Sequence, residues 1–346
     1  RRAGRDDSLP PVVTGSHLDT QPTGGRFDGI YGVLAGLEVI RSLNDLDYET
    51  EHPIEVVVWT NEEGSRFAPA MISSGVFGGQ FSLEHGLSRA DTDGLTIGQE
   101  LERIGYAGDL PVGGRDLHAY VEAHIEQGPI LEDEEITIGV VTGAQGQRWY
   151  EITLTGQESH AGTTPMERRK DALVGAARIV ELVHRVGMDN APDGRSTVGM
   201  IESYPNSRNV IPGQVFMTAE FRHPDDDILR DMDAKLREGM DKIVSEIGLE
   251  SSFEEIFYIA PIVFDARCVA AVRNAAESRE LSAREIISGA GHDACNVAAV
   301  APTSMIFIPC VDGISHNEVE DAKPEWVSAG GQVLLGAMLE LAGGGS

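Results

Sequence analysis

Apolar positions along the chain recur in two periods that alternate in blocks, and the alternation predicts an α/β protein interrupted once by an α+β segment. Val12-Val13 marks the buried end of a first strand. Val33, Leu34, Leu37, Ile40 and Leu43 follow at helical spacing, with Gly and Ala between them that permit close packing on a sheet. Ile54 to Trp59, β-branched at four of its six positions, reads as a parallel strand buried on both faces. Met71 to Gly114 is rich in glycine and polar turns, with one helix expected near Ile97 to Ile104. Its Asp91-Thr92-Asp93-Gly94 lacks the later bidentate Glu of a calcium loop and reads as a turn. Ala119 to Ile125 alternates as a strand.

The pattern shifts near Gly139. Trp149 to Thr155 reads as an antiparallel strand, then an amphipathic helix carries Ala172, Leu173, Ala176, Ile179, Val180 and Val183 on one face. Strands are expected over Thr197 to Ile201 and Val215 to Phe221, and a second helix over Ile228 to Ile247. The acidic turn Asp225-Asp226-Asp227 before that helix suits its dipole. Strand, helix, strand, strand, helix makes a two-layer α+β unit of sufficient size to stand alone. The expected division is 1–142 with 259–346 as one domain and 143–258 as an inserted one. After the insertion, Val269 to Ala276 is helical, Ser304 to Ile308 is a buried strand, and a last helix runs from about Glu325 to Leu341. Gly343 to Ser346 reads as a flexible tail.

Composition narrows the functional classes. A formal charge of -29 over 346 residues argues against a nucleic-acid surface, because phosphate backbones select basic patches. No apolar run of about 18 residues appears, so no membrane span is expected. Only four of the 27 basic residues are lysines (Lys170, Lys235, Lys242 and Lys323). Adaptation to high salt and a coding bias both fit that usage. Three cysteines without a close pair (Cys268, Cys295, Cys310) read as small buried residues in a reducing compartment, so a cytoplasmic location is the default.

Histidines and carboxylates fall at the predicted strand ends. Gly15-Ser16-His17-Leu18-Asp19-Thr20 and Gly24-Gly25-Arg26-Phe27-Asp28-Gly29 lie between the first strand and the first helix. By themselves His17 and Asp28 read as a hydrogen-bonded loop pair. However, Glu62-Glu63 follows the second strand, His124 sits in the third and His316 lies just beyond the last. His17, Asp28, Glu63, His124 and His316 would together serve two divalent ions bridged by Asp28, with two terminal ligands each. Two ions lower the pKa of a shared water and polarise a carbonyl. Glu62 would then be the general base and acid, and Asp19 would hold the His17 imidazole from behind.

The segments GSHLDT, GGRFDG, NEEGSRF, EAHIEQGP, SHAGTTPMERRKDAL, NSRNVIPG, SGAGHDA and ISHNE, in this order, resemble the carbamoylase branch of the co-catalytic zinc peptidase superfamily. That branch includes N-carbamoyl-L-amino-acid hydrolases, β-ureidopropionases and allantoate amidohydrolases. The resemblance implies an α/β catalytic domain with a mostly parallel sheet flanked by helices, and a smaller α+β lid domain that also forms a homodimer. It implies the same five metal ligands, holding Zn2+ or Mn2+ with Co2+ or Ni2+ as further options, and Glu62 as base. It implies Gln127 as a substrate contact and His160, Asn209 and Arg222 as lid residues, His160 polarising the amide carbonyl and Arg222 pairing with a carboxylate. Gly289 and Gly291 are expected to offer backbone N–H groups to that carboxylate. The family carries several tens of residues before GSHLDT, so a truncated N-terminus is expected where only 14 precede Gly15. The implied reaction is release of the carbamoyl group of an N-carbamoyl-L-amino acid as carbon dioxide and ammonia. β-Ureidopropionase and allantoate amidohydrolase are the nearest alternatives, and a non-catalytic binding homologue is the rival of another class.

Overall fold

The computed structural model describes residues 1–343, so all of the expected tail beyond Gly343 lies outside the described residues. The chain divides into two compact units, Arg1–Gly143 with Val263 onward, and Ala144–Ile262. In the larger unit the strands β1 (Val12–His17), β2 (Ile54–Trp59) and β3 (Ala119–Ile125) are parallel neighbours in the order β3-β1-β2. β1 and β3 are buried at every position, polar residues included. The helix Ile30–Asp45 follows β1 and packs closely against the sheet at its glycines: a Cβ on Gly32 would lie only 2.3 Å from the Ala123 carbonyl oxygen. The strand β4 (Ile138–Ala144) was not foreseen, because a stretch buried at all but one position and carrying two glycines shows neither period.

The smaller unit begins with β5 (Gly146–Thr155) and the two-residue β6 (Ser159–His160), followed by the helix Ala172–Asp189. Then come β7 (Arg195–Tyr204), β8 (Val210–Ile211), β9 (Gln214–His223), the helix Asp226–Ile247 and β10 (Glu250–Ile259). Its four long strands form an antiparallel sheet in the order β10-β5-β9-β7, while β6 pairs only with β8. Asp171 and Asp225 cap the two helices, each accepting the N–H groups two and three residues on. Tyr150, Ile152, Leu154, Val215, Met217 and Phe221 from the sheet meet Ile179, Leu182, Leu236 and Met240 from the helices in one core. The sequence pattern omits β10, whose side chains are nearly all exposed and carry no alternation.

β11 (Ile262–Val263), β12 (Ala283–Ser288) and β13 (Thr303–Ile308) complete the larger sheet, whose order is β11-β4-β13-β3-β1-β2 with β12 also on β4. β13 is parallel to β3 and antiparallel to β4. The helices Ala266–Glu277 and Pro324–Ala342 pack on each other and on β13. No helix among the described residues is long and apolar enough to cross a membrane. The three cysteines are free and buried.

On β2, Glu55 accepts from the guanidinium groups of Arg115 and Arg1. Burial opposes its charge, yet these two partners hold the carboxyl below its ordinary value of 4.5. A depressed folded pKa adds stability above the ordinary value and loses it as pH falls through the folded one. Glu55→Gln is therefore expected to lower unfolding stability by about 1 kcal/mol near neutral pH, with the difference vanishing in acid. Urea denaturation at both pH values checks this, and an equal deficit at both would refute it.

Candidate metal centre

The four parallel strands β13, β3, β1 and β2 end at one edge of the larger sheet, and its histidines and carboxylates collect there. His17 closes β1, with Nδ1 2.9 Å from the carbonyl oxygen of Asp19, so Nε2 turns to the site. His124 on β3 is oriented in the same way, its Nδ1 2.9 Å from the Ile125 carbonyl. Both Nε2 atoms approach one oxygen of Asp28: Oδ1 lies 3.5 Å from His17 and 3.1 Å from His124. The other oxygen, Oδ2, lies 3.0 Å from His316 Nε2, which is also 3.5 Å from Glu63 Oε2. Gly29 follows Asp28 at φ 70°, and a Cβ there would stand 2.4 Å from the His17 ring, so only glycine fits.

Electrostatics bind this group together. Burial disfavours an Asp28 anion, but hydrogen bonds from His124, His17 and His316 hold it ionised far below the usual carboxylate range. Burial likewise opposes charge on His17, and Asp28 and Glu62 overcome it, raising its pKa to about 10. His124 is raised against burial by Asp28, and His316 is raised chiefly by its bond to Asp28. Protons on the imidazoles thus offset the acids in the metal-free protein, a role that a divalent cation would take over.

The donor set fits such cations. Ligand atoms of His17, Asp28 and His124 lie within 4.8 Å of one another, as do those of Asp28, Glu63 and His316. Glu63 Oε1 is buried and has no hydrogen-bond partner, which leaves an acceptor for an ion. Imidazole with carboxylate suits zinc or manganese. A third set, Glu122, His124 and His292, is equally close, but Glu122 is already satisfied by Ser16 Oγ, the Tyr120 hydroxyl and the Ala294 N–H. Burial keeps His292 well below its ordinary pKa.

Glu62 is buried beside His17, its Oε2 3.7 Å from Nε2. Burial first, then the nearby Asp293 charge, raise its pKa well above the usual value. Asp19 stands behind the His17 imidazole. It holds His17 through its main-chain oxygen, while its carboxylate, 3.9 Å from Nδ1, accepts the N–H groups of Glu62 and Glu63 at 3.2 and 3.0 Å. A strand-to-loop turn needs those two donors satisfied, and the carboxylate is the acceptor within reach. Gln127, at φ 57°, donates from Nε2 to Asp28 Oδ2 at 2.9 Å and leaves Oε1 buried without a partner.

His160, Asn209 and Arg222 belong to the smaller unit. His160 Nδ1 accepts from Gly162 N at 3.0 Å, and the Asn209 carbonyl accepts from Ala161 N at 3.0 Å, across the β6–β8 ladder. Arg222 on β9 donates to Glu220 at 3.1 Å. Gly289 and Gly291 lie in the turn after β12, where Ser288 Oγ accepts from Ala290 N; a Cβ on Gly291 would stand 3.0 Å from the Met71 side chain. Sequence reasoning missed Gln21, Glu122, Ser315 and Glu320. Gln21 donates to Glu63 Oε2 at 2.8 Å. Glu122 carried a usable signal, a charged residue two places before His124 on the same face of a buried strand.

The family described as peptidase family M20/M25/M40 matches residues 13–340, and the chain belongs to it. Within that family it is an amidohydrolase, a hydrolase of C–N amide bonds in the carbamoylase group. An N-carbamoyl-L-amino-acid amidohydrolase of Rhizobium meliloti is 52% identical over 99% of this chain and 82% of that protein. An allantoate amidohydrolase of Bacillus subtilis is 35% identical over 99% and 84%. The crystal structure of an amidase of the hydantoinase/carbamoylase family from Burkholderia multivorans matches with a TM-score of 0.96 and 70% identity, over 99% of this chain and 83% of that one.

If the cluster binds metal, Zn2+ or Mn2+ added to chelator-treated protein raises the unfolding midpoint, since ligand at a hundredfold over Kd stabilises by about 2.7 kcal/mol. Asp28→Asn is expected to abolish most of that shift. An undiminished shift in the variant would remove Asp28 from the site.

Proposed function

We propose that the protein removes the carbamoyl group from N-carbamoyl-L-amino acids at a centre of two divalent ions, yielding the amino acid, carbon dioxide and ammonia. The observation that carries the two-ion reading is Asp28, whose two oxygens each face a separate set of ligand atoms. His17 and His124 would hold one ion, Glu63 and His316 the other, with Asp28 common to both. Zn2+ or Mn2+ bound there supplies Lewis acidity, lowering the pKa of water and polarising a carbonyl.

The chain's own residues supply the rest. Glu62, buried at the edge of the cluster, takes the proton of the attacking water and returns it to the departing nitrogen. Gln127 contacts the substrate through the amide oxygen that lacks an internal partner. His160, Asn209 and Arg222 are assigned to substrate binding, Arg222 by exchanging Glu220, which its Nη2 reaches, for a substrate carboxylate that a guanidinium fork can take with two nitrogens. Backbone N–H groups at Gly289 and Gly291 are assigned to the same carboxylate.

The smaller unit is assigned as lid and dimerisation domain. In support, β7 is an edge strand of ten residues with Met200, Ile201 and Tyr204 exposed, a surface ready to pair with a second copy. A cytoplasmic location accords with three buried, unpaired cysteines. The second substrate reading, allantoate, has the support of the 35% identical relative from Bacillus subtilis.

Ammonia release from N-carbamoyl-L-methionine, N-carbamoyl-β-alanine and allantoate, with Zn2+ or Mn2+ present, tests the substrate class. The first is expected to react fastest; preference for another reassigns the substrate, and no release from any by metal-loaded protein would overturn the proposal. Glu62→Gln is expected to keep its bound metal while kcat falls by a factor of about 10²–10⁴. Near-normal turnover in that variant would give the base role to another group.

A further inference from the structure

Glu320 lies four residues beyond His316 and is fully buried. One of its oxygens, Oε1, accepts the backbone N–H groups of Phe27 at 2.8 Å and Asp28 at 3.1 Å. The other, Oε2, accepts the Ser315 hydroxyl at 2.7 Å, and that hydroxyl is also 3.3 Å from Asp28 Oδ2. All three of these hydrogen bonds come from uncharged groups, so a carboxylate has been taken out of water to hold them. Two further bonds tie the same loops: Arg26 donates to the Glu320 carbonyl oxygen at 2.9 Å, and Thr23 Oγ1 donates to the His316 carbonyl oxygen at 2.8 Å.

The two loops joined in this way need an external clamp. The Asp28 loop contains Gly24 at φ 92° and Gly29 at φ 70°, and His316 itself stands at φ 54°, a conformation that a β-carbon disfavours. Neither loop belongs to a strand or helix that would fix it. Gly25 is small enough to let the carboxylate in: a Cβ there would lie 3.2 Å from Glu320 Oε2.

We propose that Glu320 is a positioning residue that sets the separation of Asp28 and His316, and so preforms the Asp28–Glu63–His316 half of the centre before metal arrives. It fixes the Asp28 main chain through one oxygen and the residue preceding His316 through the other. This inference rests on the reading of Asp28 and His316 as metal ligands. A group that only stabilised the fold would lower the melting temperature and leave metal affinity alone. A clamp on ligand spacing changes affinity and stoichiometry, and does so in proportion to how well a substitute keeps the acceptor in place.

The test is titration of chelator-treated protein with Zn2+ alone and with Mn2+ alone, by calorimetry and by metal analysis after dialysis. Wild type is expected to bind two ions. E320A is expected to lose one of them or to bind it at least tenfold more weakly, with kcat reduced and KM within about twofold, since outer-shell partners of ligands are worth about 10–100-fold in affinity. E320Q keeps an oxygen for the two N–H groups and is expected to stay within about threefold of wild type. S315A, which keeps the backbone acceptor, is expected to fall between them and guards against failure of E320A to fold. Wild-type metal binding in a folded E320A or S315A, or an E320Q as impaired as E320A, would overturn the assignment. Wild type that takes up no metal would instead overturn the metal reading on which it rests.

Discussion

Both oxygens of Asp28 are in contact with imidazole nitrogen, and the rest of the larger unit is arranged so that this can be true. The contacts, at 3.0 to 3.5 Å, bring together groups from β1, β3 and the loop after β13. No local segment can supply them. They exist because parallel strands present their C-terminal ends along one edge, and because the register of β3 with β13 sets His124 level with Phe307. Carrying the β1–β3 register forward sets His17 level with His124.

Burying several carboxylates and imidazoles in one place is unfavourable unless their charges are matched. Four of the five proposed ligands are therefore held by a further group: His17 and His124 by backbone carbonyls, Glu63 by Gln21, Asp28 by the backbone bond to Glu320. Such support fixes tautomer and direction, and with them what the site can bind. The smaller unit is built differently. Its antiparallel sheet and two capped helices form a core of their own, and its site candidates sit on a short ladder and near the end of β9.

The parts of the fold that sequence revealed are those with a strong period or a continuous apolar run. Ile54–Trp59, Ala119–Ile125 and the helix Ile97–Ile104 were legible to the residue. β4 and β10 were not, the one because burial at nearly every position erases alternation and the other because exposure at nearly every position does. The five ligand candidates were legible because His and acidic residues stand out at the ends of apolar strands. Glu320 was hidden because its function is to accept hydrogen bonds from main-chain groups, and no side-chain pattern records where those lie. The partners of the Asp19 carboxylate were hidden for the same reason: they are the N–H groups of Glu62 and Glu63.

Asp19 touches three site residues at once, His17 by its carbonyl and the two glutamates by its carboxylate. The proposed base and two proposed ligands consequently share one anchor, and no substitution at Asp19 can be assigned to one of them. Changes among these four residues will be epistatic, since the effect of each depends on which partners are still held. An evolving lineage could drift at the surface of this enzyme freely, but would have to move through this quartet in concert or leave it alone.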